Sequence, residues 1–214
     1  MAAPRTRTSG GGESGAPGLG GADSADADAG SAAQRERRKR ILDATITLAS
    51  KGGYDAVQMR TVAERADVAL GTLYRYFPSK IHLLVSGLAR EFEHTQEKLD
   101  RSPLPGDTAS DRVLYVLGRV TRSMQRDPLL TEAMTRAFMF ADPSAAAEVN
   151  AVARLMEDML TRAMHPGEPT ADERAIARII GDVWLSNLVA WVTRRASAND
   201  VSAHLELAAR LLLR

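Results

Sequence analysis

Between Met59 and Lys80 the chain reads MRTVAERADVALGTLYRYFPSK, two short segments of helical character parted by Asp67-Val68 and closed by a Pro-Ser-Lys stop. Isolated helices shorter than about 12–15 residues are marginal in water, and neither segment reaches that length. Both must be held by longer neighbours, so the fold has to supply flanking helices that clamp them. Val62, Ala63 and Ala66 make the apolar side of the first segment, and Leu70, Leu73 and Phe77 are expected to form the inner side of the second. Gly71, Thr72, Tyr74, Arg75 and Tyr76 are then left facing away from the core. Side chains that a short helix does not use for packing need another reason to be there.

A helix-turn-helix supplies one. Its second helix enters the major groove of DNA, with N-terminal side chains at base edges and hydroxyls on phosphates. Gly71 and Thr72 keep the start of the second segment slim enough to approach a groove. Tyr74 and Tyr76 join ring area to a hydroxyl that reaches phosphate, and Ser79 with Lys80 can offer amides and an ammonium where the next helix starts. The charge distribution agrees: residues 34–80 carry ten Lys or Arg against five Asp or Glu, although the whole chain is only +1. Arg35, Arg37, Arg38, Lys39 and Arg40 open the first helix, where positive charge opposes the macrodipole. A phosphate partner and a plain solvated basic face account equally for this run, with Arg38 and Lys39 as candidate contacts.

Residues 1–33 are dominated by Gly, Ala, Ser and Asp, with almost no large apolar side chain, and are expected to be a disordered tail. From Gln34 a stripe of Ile41, Leu42, Thr45, Leu48 and Ala49 at helical spacing gives a first helix that Gly52-Gly53 stops. Beyond Lys80, helices are expected near 80–100, 108–126, 128–141, 144–165, 171–197 and 200–213. Pro and Gly mark the breaks, and Asp or Thr commonly stands before each restart. No alternating strand pattern of convincing length appears, so the chain is expected to be all-α, with about nine helices.

The stretch TVAERADVALGTLYRYFPSK resembles the DNA-binding motif of the TetR family, in which a short second helix precedes a G-T-L-Y-x-x-F-x-S-K recognition segment. The matching residues are Gly71, Thr72, Leu73, Tyr74, Phe77, Ser79 and Lys80. This resemblance implies an N-terminal three-helix DNA-binding domain over residues 34–80, running into a linking helix to about residue 100. It further implies an effector-binding and dimerisation domain over 81–214, and a homodimer on an inverted-repeat operator. Arg60, with Thr61 beside it, falls where family members often place a base-contacting side chain. Within the family the chain most resembles repressors of cholesterol catabolism, which implies release by a sterol-derived acyl-CoA. The alternatives are a regulator answering to another apolar ligand, in efflux or fatty-acid metabolism, and a helical interaction module that binds no operator.

Other classes find little support. The chain has no Cys, which removes disulfides, thiolate nucleophiles and Cys-ligated zinc. His82, His94, His165 and His204 are far apart and show no metal-ligand spacing, and neither a nucleophile elbow nor a phosphate-binding glycine loop is present. The expectation is a non-enzymatic protein with no catalytic residue, metal or cofactor. With no signal-like segment and no run of 18 uninterrupted apolar residues, it is expected to be cytoplasmic and without a membrane partner.

In the second half, Met124, Met134, Met139, Met156, Met159 and Met164 suit an adaptable apolar space, since Met fills irregular volume. Each taken singly reads as core, and the family's effector cavity is what lifts the set above that. The candidate ligand residues are Leu114, Leu117, Met124, Met134, Phe138, Met139, Met156, Trp184, Asn187, Leu188 and Trp191. Asn187 reads as a polar anchor or, equally, as a satisfied interhelical amide. The last two helices carry more apolar surface than one stripe needs, so Ile180, Trp184, Leu188, Leu205, Ala208 and Leu212 are the expected dimer interface.

Overall fold

The computed structural model describes the backbone of residues 22–213 and, from residue 32, the side chains. Among the described residues there are nine α-helices and no strand. They are α1 (Ala22–Ala56), α2 (Met59–Arg65), α3 (Leu70–Tyr76), α4 (Lys80–Leu99), α5 (Ala109–Gln125), α6 (Pro128–Met139), α7 (Ala146–Met164), α8 (Ala171–Val192) and α9 (Ala198–Leu212). A single 3₁₀ turn, Pro143–Ala145, leads into α7. The described residues divide into two compact units after Glu36, inside α1.

Two boundaries differ from the expected ones for identifiable reasons. Helix α1 starts at Ala22 and not at Gln34, so part of the segment expected to be a disordered tail is helical; the remainder, residues 1–21, lies outside the described residues. The added stretch is rich in Ala, the strongest helix former. At the other end of α1 the expected stop holds in the backbone itself: Gly52 and Gly53 leave helical geometry, and Gly53 takes φ 65°, a conformation that costs glycine nothing. Helix α8 ends at Val192, short of residue 197. Arg194 adopts φ 59°, and the amides of Arg195 and Ala196 turn back to the Ala190 carbonyl, closing the helix.

Restarts are fixed by side-chain caps. Thr108 with Asp111, Thr170 with Glu173 and Ser197 with Asp200 each form a reciprocal capping box at the starts of α5, α8 and α9. Asp127 caps α6 ahead of Pro128, and the Ser79 hydroxyl accepts from the Ile81 amide at the start of α4.

Helix α4 is the spine. Every residue from His82 to Ala89, and Phe92 beyond, is buried, because α6 and α7 cover it along most of its length. The same helix starts beside α3 and reaches down among α5 and α7, so it joins the two halves of the chain covalently and by packing.

Candidate nucleic-acid interface and effector cavity

Helices α2 and α3 are held by a small core. Val62, Ala63 and Ala66 close against Ile41, Leu42, Leu73 and Phe77, all almost fully buried. Between the helices the chain turns at Asp67, φ 52°, a left-handed position that Asp tolerates better than most residues, and the Val68 amide bonds back to the Ala63 carbonyl. Leu70, expected on the inner side, is instead 39% exposed. This seven-residue helix is anchored by the buried Leu73 and, at its C-cap, Phe77, and its first position lies beyond that support.

The outer face of this pair presents Arg60, Gly71, Tyr74 and Arg75 to solvent, with Thr61, Thr72 and Tyr76 half-buried beside them. Gly71 is informative. A Cβ built there meets nothing within 4 Å, and its backbone is ordinary helix, so nothing among the described residues requires a glycine. Arg60 pairs with Glu64 at 3.7 Å on the surface of α2. Arg38 and Lys39 are exposed on α1, with the Arg38 guanidinium 5.3 Å from the centre of the Phe77 ring.

Lys80 is placed differently from its expected role. Its ammonium donates to the Tyr54 carbonyl at 3.1 Å and stands 4.0 Å over the Tyr54 ring. Burial pushes its pKa below the ordinary lysine value; the Asp55 carboxylate works against that shift and the Arg136 guanidinium adds to it. The ammonium thus has partners inside the chain. Arg136, from α6, lies 4.3 Å over the same ring and 3.9 Å from Asp55. Tyr54 therefore sits where the end of α1, the start of α4 and the middle of α6 meet.

A cavity opens among α4, α6, α7 and α8. It encloses about 220 Å³ and widens to about 800 Å³ of unfilled space once its open mouth is included. Leu88 and Phe92 of α4, Val152 and Met156 of α7, and Trp184 and Leu188 of α8 make its apolar walls. Phe92 and Trp184 meet edge to face at 5.8 Å, and the Trp184 indole donates to the Thr121 hydroxyl at 3.0 Å, which fixes that wall. Arg178 and Asp182 are exposed beside the opening, and the half-buried Glu157 pairs with Arg178 at 3.5 Å. Gly181 leaves room: a Cβ there would stand 3.6 Å from Met156.

Of the residues expected to line such a space, Phe138, Met156, Trp184 and Leu188 do so. Leu117, Met124 and Met134 are buried in the surrounding core and Leu114 is half-buried, whereas Met139 is 53% exposed at the end of α6. Trp191 is half-buried near the end of α8 and outside the lining. Asn187 takes the structural alternative, since its amide donates to the Val183 carbonyl at 2.8 Å and its oxygen meets His204 at 3.0 Å, joining α8 to α9. The α4 contribution and the polar members Thr135, Glu157, Arg178 and Asp182 were missed. Periodicity marks a buried face but does not say which part of it borders empty space.

The expected partner-facing residues also need correction. Ile180, Trp184, Leu188 and Leu205 are buried within their own chain, and a side chain already enclosed has no surface to offer a second copy. Ala208 and Leu212 are half-buried. The large apolar side chains exposed on the same two helices are Ile179, Leu207 and Leu211. Helix α8 is long and apolar enough to cross a membrane by composition, and only 28% of that stretch is buried. These exposed positions stand one or two residues from the expected ones, because α8 is apolar on several sides and its sequence does not distinguish inner from outer face.

Comparison with known proteins agrees with both halves. Residues 41–86 match the profile described as bacterial regulatory proteins, tetR family, and residues 106–212 match the tetracyclin repressor-like C-terminal domain. The chain is 66% identical over 188 residues, 88% of its length and 92% of the relative's, to the HTH-type transcriptional repressor KstR of Mycolicibacterium smegmatis. A TetR transcriptional regulator crystallised from Rhodococcus sp. RHA1 superposes with a TM-score of 0.79 at 33% identity, covering 84% of this chain and 97% of that one. A Thermus thermophilus FadR repressor, solved in complex with lauroyl-CoA, shares the fold with a TM-score of 0.62 at 20% identity over 82% and 93% of the two chains.

Proposed function

The chain belongs to the TetR family of bacterial transcriptional regulators, and on that premise we propose that it is a cytoplasmic, non-enzymatic repressor that binds an inverted-repeat operator as a homodimer and releases it when an apolar effector fills the α4–α8 cavity. The observation that carries the DNA-binding half is the two-faced α3: its inner side buries Leu73, its outer side leaves Gly71, Tyr74 and Arg75 to solvent, and open space stands where a Gly71 side chain would be. A recognition helix needs that combination of a supported back and a slim, hydroxyl-bearing front. Residues 34–80 are the reader and 81–214 the effector and dimerisation domain.

The cavity, with its aliphatic and aromatic walls, suits a large, mostly apolar ligand. The 66% identity to a KstR repressor and the resemblance to repressors of cholesterol catabolism favour a sterol acyl-CoA thioester and the control of sterol-catabolic genes. Thr135 and Phe138 border the cavity from α6, and Arg136 on the same helix holds Tyr54 and Asp55. A ligand that spreads the walls displaces α6, disturbs the Tyr54 junction and tilts α1–α3 away from the spacing a duplex requires. Half-sites must match the separation of the two recognition helices, roughly 34–36 Å or a multiple of it. The dimer uses the exposed apolar face of α8 and α9.

The test is fluorescence anisotropy on a labelled duplex from the region upstream of the gene. Wild type should bind specifically, and Tyr74→Ala should weaken binding by about 1–3 kcal/mol. Sterol acyl thioesters should release the duplex. Release by straight-chain acyl thioesters alone would change the effector class and keep the family reading. A protein with no preference for any inverted repeat over random duplex would contradict the repressor reading.

A further inference from the structure

A second concentration of positive charge lies on α4 and α5. Thr95 and Lys98 of α4 and Arg119, Arg122, Ser123 and Arg126 from the end of α5 line one groove, which encloses about 40 Å³ and widens to about 370 Å³ with its open mouth. Residues 81–214 carry sixteen Lys or Arg against eighteen Asp or Glu, so this grouping runs against the charge of its surroundings. Other arginines of the same region are neutralised: Arg136, Arg162, Arg174 and Arg178 each have a carboxylate within 4.0 Å. Among the described residues none of the four cations of the groove has such a partner. The spacing adds a cost, since Arg119, Arg122 and Arg126 stand at i, i+3 and i+7 on one face, where like charges repel. Attraction to the helix C-terminus offsets part of it at Arg122 and Arg126, but that effect is confined to the last turn and Arg119 lies before it.

We propose that the α4–α5 groove binds the diphosphate of a small phosphorylated ligand, as a site separate from the effector cavity, with which it shares no lining residue. Guanidiniums meet phosphate oxygens as two-pronged donors, and three of them with Lys98 answer the several charges of a diphosphate. The Thr95 hydroxyl donates to the Glu91 carbonyl and is left only to accept, whereas the exposed Ser123 hydroxyl can donate to the ligand. A hollow of this size takes a compact anion, whereas a folded acidic partner would cover roughly 800 Å² of surface. The inference depends neither on the operator nor on the acyl-thioester effector.

The test is calorimetric titration of the full chain with inorganic pyrophosphate, ADP and adenosine at about 0.15 M salt, where loose pairing to exposed charges is largely screened. Pyrophosphate and ADP should each bind at one per chain, and adenosine should not bind. Arg119→Gln combined with Arg122→Gln should weaken both by about tenfold or more, the loss expected when charge-assisted hydrogen bonds are removed. Lys51→Gln combined with Arg154→Gln, which removes the same charge from exposed positions elsewhere, should leave both unchanged. With like-charge repulsion relieved, the Arg119 and Arg122 double variant should melt at or above the wild-type temperature; melting below it would show that the two arginines serve the fold, and overturns the inference. Wild type that binds neither phosphate at millimolar concentration, or an equal loss in the two double variants, also overturns it. So does binding of poly-glutamate in place of the phosphates, which would assign the groove to an acidic protein. ADP should still bind when a sterol acyl-CoA thioester saturates the cavity; its displacement would make the groove an extension of that ligand's site and end the claim of a separate one.

Discussion

At the residue scale the chain separates positions that the fold needs from positions that it does not. Gly71 marks the difference most sharply, since an added methyl group would meet only open space. Gly71→Ala should therefore keep or raise thermal stability, by up to about 1 kcal/mol, because alanine is the better helix former. The same change should weaken operator binding, as anisotropy titration would show; unchanged affinity would mean that the groove does not come close to this residue. Lys80 makes the opposite case. With its ammonium on Tyr54, Lys80→Ala should leave the dependence of log affinity on log salt unaltered, whereas a lost phosphate contact at Arg75 should lower that slope by about 1. The sequence made Leu73 and Phe77 legible as core because an i, i+4 apolar pair in a short helix has few other uses. It did not reveal that Lys80 is committed internally, because its partner Tyr54 lies 26 positions away, beyond any local pattern.

At the element scale, boundaries follow from caps and from left-handed turns. The Thr108 hydroxyl and amide hold Asp111 below the usual carboxylate range, and Ser197 does the same for Asp200; at Glu173 the Thr170 amide contributes most. Ser144 lowers Asp142 at the 3₁₀ turn in the same way. For each of these carboxyls the folded-state pKa lies below the unfolded one. The stability they contribute is therefore present above the unfolded value, about 4, and is lost as pH falls through the lower folded values. Urea midpoints should hold between about pH 5 and 7 and fall below about pH 4, with a shallower acid limb in Thr108→Ala and Ser197→Ala. An acid limb of the same steepness in both variants would show that the caps do not set it. Pro and Asp positions made the starts of α5, α6, α8 and α9 readable to within a residue or two. The end of α8 was missed because Arg194 takes a left-handed conformation that glycine or asparagine would have advertised and arginine does not.

At the scale of the whole molecule, a helical reader and a helical effector domain share one spine, α4, and one junction, Tyr54 with Lys80, Asp55 and Arg136. All-α architecture and the helix-turn-helix were legible because helical periodicity and the G-T-L-Y motif are local signals. Which apolar side chains of α8 stay exposed was not, since Ile179 and Ile180 are equally apolar and only packing decides which is enclosed. Leu207→Glu combined with Leu211→Glu should leave the helical content intact while shifting sedimentation toward monomer and weakening operator binding; a double variant that stays dimeric would place the interface elsewhere. Arg136→Ala should let operator and effector each bind but reduce the coupling between them, by about 0.5–2 kcal/mol. The central claim, that cavity and operator are two sites of one switch, is tested most directly by measuring operator affinity with and without a saturating sterol acyl-CoA thioester, and thioester affinity with and without operator. The account predicts that each ligand weakens the other by the same factor, tenfold or more, within the range of about 5–150 common for such coupling. A thioester that binds tightly and leaves operator affinity unchanged would contradict it.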